Sequence, residues 1–586
     1  MSVSWMSPTD RSVKIADLEA NPTCGAGIVG LRRMLRLVAC GLLFALAVAT
    51  GGLLALAEDA LDLPPQAAID ADVLLKEGLI YDGSGDEPFR GSVAIRGDRI
   101  VAVGTFPVGR IKMAVDCSGL VISPGFIDLH NHSDQQMIDR RTRANTNYLT
   151  QGCTTIVTGN CGAGPIEVAK YYNQIDVDGA GTNVLHLVPH GALRARVVGT
   201  AYRAASSDDI AAMQGLARQA MREGAWGLSS GLIYVPSSYA STDELVQIAR
   251  VVGDYGGLYA SHIRDEGASL LAAIDEALEV GQRAEVPVHI SHFKASGRDA
   301  WGLVRRATDM IERSRELGQT VTADQYPYTA LSTSLEATII PPWARAGGHD
   351  AINARLSDPL RAARIRGAMI DALGDRDDGA MLRLARFDSK PEWVGKSLTE
   401  IAADRKSDVL EVATYIVQQG SAMIVEFSMN EDDVRYVMRQ PWVATASDGR
   451  AYVPDGDKPQ PRSYGTFSRK VGYYARQEGV IGVSAAIRSC TGLPADILHL
   501  TDRGYIRPGQ AADLAVLDLE KFIDLATYDE PHQYSEGVVH VFVNGRAAIF
   551  QAQLTGILAG RAIRKKSPQS KPQKPIGVIG GGGGEE

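Results

Sequence analysis

Cysteine is scarce in this 586-residue chain: six residues, widely scattered, too few to frame a disulfide-stapled fold. Basic charge is thin as well. Lys and Arg number 60 against 69 Asp and Glu, for a formal charge of −9, and no basic stretch stands ready to neutralise phosphates. That argues against an unaided nucleic-acid binder. Long apolar runs are lacking apart from Leu37–Ala57. What is present is ordinary globular material. With 45% apolar and 22% charged residues there is enough for a packed core, which excludes global disorder and a collagen-like fibre. At roughly 150 residues per domain, the length allows one large core domain and one or two smaller units. These proportions are those of a soluble enzyme.

The N-terminus stands apart. Arg32, Arg33 and Arg36 precede the uncharged run Leu37–Ala57, which closes on Ala55-Leu56-Ala57 before Glu58. A positive stretch, an apolar stretch and a small-x-small end describe a secretory signal peptide over residues 1–57. The same run is about long enough to span a bilayer as an uncleaved anchor. In either case the arginines stay cytoplasmic and the rest is exported, to the periplasm or beyond. Loss of the leader removes Cys24 and Cys40 and leaves Cys117, Cys153, Cys161 and Cys490. Exported cysteines can pair, so a thiolate ligand among them needs its own argument.

Beyond the leader, strand-rich ends flank an alternating middle. Residues 58–124 carry short β-rich runs (Val73–Ile80, Ser92–Ile95, Ile100–Val103, Leu120–Ile122) broken by Gly-Asp and Ser-Gly turns, and residues 501–562 look similar. The two segments are expected to pair into one small β-sandwich. Between them, apolar runs such as Leu185–Val188, Leu258–Ser261, Val288–Ser291, Thr320–Ala323 and Val443–Ala446 alternate with helix-compatible stretches including Ser207–Glu223, Ser241–Tyr255 and Ser269–Ala284. That pattern over residues 125–500 predicts a parallel α/β fold, a (β/α)8 TIM-like barrel with its site at the strand C-termini. Residues 343–440 are charged, mostly helical and long for one crossover, as expected of an inserted subdomain or lid. The lysines, prolines and glycines of residues 563–586 predict a disordered tail.

Polar residues gather where the strands end. After Phe126-Ile127-Asp128-Leu129 come His130 and His132, which alternation puts on one face, able to share a cation. Cys161 in Thr158-Gly159-Asn160-Cys161-Gly162 ends a second run, His262 a third, His292 a fourth, and Asp448 in Ser447-Asp448-Gly449 the last. Taken singly, a cysteine in a β-loop is usually a small buried residue, and an Asp before Gly a turn former. Their recurrence at successive strand ends reads as a metal hydrolase.

These motifs resemble the amidohydrolase superfamily and, within it, the N-acyl-D-amino-acid deacylases (D-aminoacylases). The likeness also rests on Gln151-Gly152-Cys153-Thr154-Thr155, Gly227-Leu228-Ser229-Ser230-Gly231-Leu232, His262-Ile263-Arg264-Asp265-Glu266-Gly267, Ser291-His292-Phe293-Lys294, Tyr326-Pro327-Tyr328 and Pro461-Arg462-Ser463-Tyr464-Gly465, and runs from about Asp72 to Arg561. The resemblance implies a tightly bound zinc on Cys161, His262 and His292, a second and weaker site on His130 and His132, and Asp448 as general acid/base. It also implies hydrolysis of the acyl amide of N-acyl-D-amino acids to a carboxylate and a free D-amino acid. Thiolate with imidazole suits zinc better than magnesium or calcium. A small-molecule substrate with a carboxylate needs a cationic clamp, for which Lys294, Arg462 and a tyrosine hydroxyl, Tyr326 in preference to Tyr328, resemble the family's trio. Phe293 and Gln460 stand where the family often has histidine, and no counterpart appears for the carbamylated lysine of hydantoinases. His190 is a further candidate to line the site; His186, His289, His349, His499, His532 and His540 read as structural or surface residues. Other readings are another cyclic or linear amidase, a dipeptidase accepting a C-terminal D-residue, and a catalytically silent metal-binding envelope protein.

Overall fold

The computed structural model describes residues 67–420 and 422–566; the leader at 1–57 and the tail beyond 566 lie outside the described residues. Nine strand segments run parallel through the middle of the chain: Phe126–Asp128, Cys153–Thr158, Asn183–His186, Val188–Pro189, Gly227–Gly231, Leu258–His262, Val288–Ile290, Val321–Gln325 and Val443–Thr445. Asn183–His186 and Val188–Pro189 are one stave interrupted at Leu187, so the segments make eight staves. Ladders join the first three segments and the last six, and the Trp226 amide donates to the His186 carbonyl at 2.9 Å across the gap between them. The ring closes where the Asp448 amide donates to the His130 carbonyl and the His132 amide to the Gly449 carbonyl, both at 2.8 Å. This is a TIM-type barrel. Nearly every strand residue is buried, as staves with a packed interior and a helical jacket require.

The jacket helices form for local reasons. Ser207–Arg222 starts at a capping box in which Ser206 and Asp209 satisfy each other's exposed amides, and it buries Met213, Ala217, Ala220 and Met221, one stripe at helical spacing. Thr242–Gly253 and Leu270–Ala284 occupy the other two stretches expected to be helical.

Both chain ends build the sandwich, and Val121–Pro124 is its seam. That strand pairs parallel with Ile69–Ile80 (Leu79 opposite Val121) and antiparallel with Leu514–Leu517 (Leu514 opposite Pro124). A register shift between Leu75 and Gly78 bends the long first strand, whose earlier half pairs with Val108–Asp116. Val73, Ile95, Ile122, Leu514, Val516 and Phe542 fill the interior. Asp513 ties sandwich to barrel: it pairs with Arg503 at 2.5 Å and accepts from Asn183 at 3.0 Å and from the Asn544 amide at 2.6 Å.

The insertion begins earlier than residue 343 and is not helical alone. Leu331–Ser334, Met423–Glu426 and Leu382–Arg386 form an antiparallel sheet, and Leu335, Ile365, Leu384, Trp393, Ile416 and Ile424 give the unit a core of its own. The start of the tail also needs correction. Ile563 donates to Val184 at 2.8 Å and accepts from Trp226 Nε1 at 2.6 Å, and the Lys565 amide donates to Gly224 at 2.9 Å, so residues 563–565 are held by backbone pairing to the barrel. Among the described residues no helix is long and apolar enough to cross a membrane.

Candidate metal centre

Three of the expected site residues adopt an unusual backbone. Cys161 (φ 52°), His292 (φ 35°) and Asp448 (φ 50°) each occupy left-handed space just beyond a strand. Such conformations cost about 1–3 kcal/mol each for a residue with a Cβ and persist only where surrounding structure enforces them. For Asp448 the enforcement is visible. The buried Asp128 carboxylate accepts from the His130 amide, Asn131 Nδ2 and both the amide and hydroxyl of Ser447, at 2.6–3.3 Å, so it clamps the ends of the first and last staves together. Burial raises its pKa to about 6, against the pull of those donors.

The structure brings Cys161, His262, His292, His130, His132 and Asp448 to one rim. Cys161 Sγ lies 3.4 Å from His262 Nδ1, 3.8 Å from His292 Nε2 and 3.2 Å from His130 Nε2, and the two downstream imidazoles are 2.9 Å apart. His132 Nε2 and His130 Nε2 stand 3.0 and 3.4 Å from Asp448 Oδ1. Ligand atoms of three overlapping triads, Cys161–His262–His292, His130–His132–Cys161 and His130–His292–Asp448, lie within 4.8 Å of one another. Burial would raise the Cys161 thiol, yet His130 and His262 hold it well below its ordinary range. All four described cysteines are free, so this sulfur is not in a disulfide.

The donor set fits a zinc ion. Sulfur and imidazole are its preferred ligands. Lone pairs of three buried groups converge there, where a cation turns mutual repulsion into coordination. Among the described residues the His262 side chain makes polar contacts only through Nδ1, toward this cluster, and its buried Nε2 has no partner.

Neighbouring carboxylates orient the rings. Glu266 Oε1 lies 2.8 Å from His292 Nδ1, which leaves His292 Nε2 free to face the cluster. Asp324 accepts from the His292 amide at 2.6 Å and lies 2.8 Å from His289 Nε2 and 3.4 Å from His130 Nδ1. Burial opposes ionisation of both acids. Lys294 and His292 nonetheless hold Glu266, and His130 holds Asp324, far below the usual carboxylate range. Neither acid was given a role from sequence, although Glu266 is part of the His262 motif and Asp324 is a strand-end carboxylate like Asp448. His289 is buried against Asp324 and is not a surface residue.

The expected clamp is only partly free. Arg462 stacks on the Tyr326 ring at 4.7 Å, and its Nη1 lies 2.7 Å from Asp448 Oδ2, an ion pair without hydrogen-bond alignment. Burial works against ionisation of Asp448, but Arg462 and then His130 override it and hold the carboxyl well below its ordinary range. Gln460 accepts from the Arg462 amide at 2.7 Å and so seats the arginine. Lys294, by contrast, donates to Glu266 at 2.5 Å and to the His292 carbonyl at 3.0 Å; an arriving carboxylate has to share it with Glu266. Tyr326 faces both cations, whereas Tyr328 lies toward Asp524. His190 does not line the cleft: it is bound between Ser237 at 3.0 Å and Glu244 at 3.1 Å, beside Arg194. Phe293 is core, packed near Trp442.

Two cavities open on the cluster, one of about 520 Å³ touching Cys161, His132 and Arg462, the other of about 850 Å³ touching His262, His292, Lys294 and Tyr326. Asp448, Tyr234, Ser332 and Thr333 line both. They are two arms of one cleft, divided by the 3.0 Å bond between the Tyr234 and Thr333 hydroxyls.

A parallel barrel with a sulfur–imidazole cluster and a strand-end aspartate at its mouth defines a metal-dependent hydrolase of the amidohydrolase type. The sequence profile of the amidohydrolase family matches residues 113–549, and the chain belongs to that family. It is 34% identical over 518 residues to a D-aminoacylase of Alcaligenes xylosoxydans xylosoxydans, covering 84% of this chain and 98% of that one. An N-acyl-D-glutamate deacylase of the same organism is 32% identical over 517 residues, 84% of this chain and 96% of that one. The crystal structure of N-acyl-D-glutamate deacylase from Bordetella bronchiseptica, complexed with zinc and a phosphonate mimic of the tetrahedral intermediate, superposes with a TM-score of 0.73 at 29% identity, covering 85% of this chain and 100% of that one.

Proposed function

We propose that this protein is a zinc-dependent N-acyl-D-amino-acid deacylase. The observation that carries the reading is the convergence of Cys161, His262 and His292 beside Asp448 and Arg462, within a family whose matched relatives bear that activity in their names. Cys161, His262 and His292 would hold the tight metal, and His130 with His132 a second. When bound, zinc supplies a Lewis acid for the amide carbonyl and makes water more acidic.

The protein's own residues do the rest. Asp448, kept ionised by Arg462, accepts the proton of the attacking water and returns it to the amine nitrogen, which leaves poorly unless protonated. Arg462 receives the substrate carboxylate, with the Tyr326 ring stacked against its guanidinium. A carboxylate that draws Arg462 away from Asp448 also removes the cation that keeps Asp448 acidic. The base therefore strengthens when substrate is in place. Glu266 and Asp324 keep His292 and His130 in register for the metal. Export of the mature chain belongs to the same reading, and cell fractionation tests it.

The experiment is a panel of N-acetyl D- and L-amino acids offered to the zinc-loaded protein, with and without prior chelation. The expected result is turnover of D-substrates, lost on chelation and restored by zinc. Turnover confined to L-substrates overturns the stereochemical assignment, and no turnover of any panel member overturns the reaction.

A further inference from the structure

The motif Gly227-Leu228-Ser229-Ser230-Gly231-Leu232 supplies no expected metal ligand and no member of the clamp, yet it lies between two of the ligands. Its strand, Gly227–Gly231, runs in register with Leu258–His262, with Gly231 opposite His262. The Leu232 amide then donates to the His262 carbonyl at 3.0 Å. The same strand also touches the turn that holds Cys161.

Three of the four residues in that turn, Gly159 (φ 79°), Cys161 (φ 52°) and Gly162 (φ 71°), occupy left-handed space. Glycine adopts it freely, whereas a cysteine has to be held there. Asn160 anchors one side of the turn, donating from Nδ2 to the Leu129 and Val157 carbonyls at 3.1 and 2.9 Å. Ser229 closes the other. Its hydroxyl donates to the Gly159 carbonyl and accepts from the Gly162 amide at 3.0 Å. One fully buried side chain thus clips both ends of the turn, on either side of Cys161. Two positions along, a Cβ on Gly231 would lie 2.2 Å from the Cys161 carbonyl oxygen, so a bare backbone there lets the strand and the turn meet.

We propose that Ser229 is a positioning residue of the metal centre. It ties the cysteine turn to the strand that is already in register with His262, and so sets Cys161 Sγ at its 3.4 Å separation from His262 Nδ1. A metal ligand has to be held to within about 0.5 Å. Cysteine reaches its sulfur through a single rotatable bond, so Sγ follows the backbone directly and has little freedom to compensate. Without the clip the turn relaxes toward ordinary backbone space, and the sulfur leaves the point where the imidazoles converge. This inference rests on the metal site proposed above and adds to it a residue that is not a ligand.

The test replaces zinc with cobalt(II), because a thiolate–cobalt bond gives a charge-transfer absorption that imidazole and carboxylate ligands do not. Zinc retained against a chelator is the second readout. The wild type should show the sulfur band. Ser229→Ala should lose most of it and give up zinc about 10- to 100-fold more readily. Gly231→Ala displaces the same turn from the same strand, should do likewise, and supplies the answer if Ser229→Ala does not fold. Ser230→Ala is the control. It removes an equally buried hydroxyl that bonds the Tyr259 hydroxyl at 2.8 Å instead of the turn, and it should keep both the band and the zinc. A full band with ordinary zinc retention in Ser229→Ala overturns the positioning role. An equal loss in Ser230→Ala overturns it too, since the effect is then a general loosening of the strand. A wild type without the sulfur band overturns Cys161 as a ligand, and the metal reading falls together with this inference.

Discussion

Replacing Arg462 with glutamine separates two consequences of one side chain. Its guanidinium stands 2.7 Å from Asp448 Oδ2 and faces the smaller arm of the cleft. As substrate anchor, it makes a charge-assisted contact worth about 1.5–3 kcal/mol, so Arg462→Gln should lower kcat/KM by roughly ten- to a hundredfold, mostly through KM. As neighbour of Asp448, it is the strongest influence holding that carboxyl ionised against burial. An opposite charge at contact ordinarily lowers a carboxyl pKa by about one to three pH units, so its removal raises the pKa by a similar amount. The sign follows directly. Wild-type Asp448 is depressed, so kcat/KM should fall only at distinctly acid pH; in Arg462→Gln the acid limb should move up toward neutrality. The assay is the pH profile of kcat/KM, which reports the free enzyme, run with metal content and thermal melting as controls for site and fold. An acid limb that stays in place while activity drops would refute the coupling of Arg462 to Asp448. An unchanged KM would refute the anchor.

Asp448→Asn should cost about 10²–10⁴-fold in kcat while zinc stoichiometry, read by mass spectrometry, stays at the wild-type value. Glu266→Gln removes the acid that orients His292 and should weaken metal retention or activity about 10- to 100-fold, measured as zinc remaining after dialysis against a chelator. Asp513→Ala leaves the buried Arg503 with only the partly exposed Asp502 as partner and should lower stability by about 1.5–3 kcal/mol in denaturant unfolding, with activity per folded molecule unchanged.

Much of the barrel was readable because its signals are local. A buried run followed by one polar ligand recurs at Phe126–His130, Leu258–His262 and Val443–Asp448, and alternation alone puts His130 and His132 on one side. The stripe of Ser207–Arg222 and its cap are also properties of neighbouring residues. Pairing across long separations has no such signature. Lys294 with Glu266, Asp324 with both His130 and His289, and the burial of His190 against Glu244 depend on which strands become adjacent. The insertion's true start escaped notice for the same reason, since Leu331–Ser334 is a strand only because Met423–Glu426 lies beside it. Residue type and spacing decided which side chains are able to bind a metal. Packing decided that one cleft has two unequal arms, and it decided which acid restrains each ligand, because charge pairing in a folded chain follows distance in space.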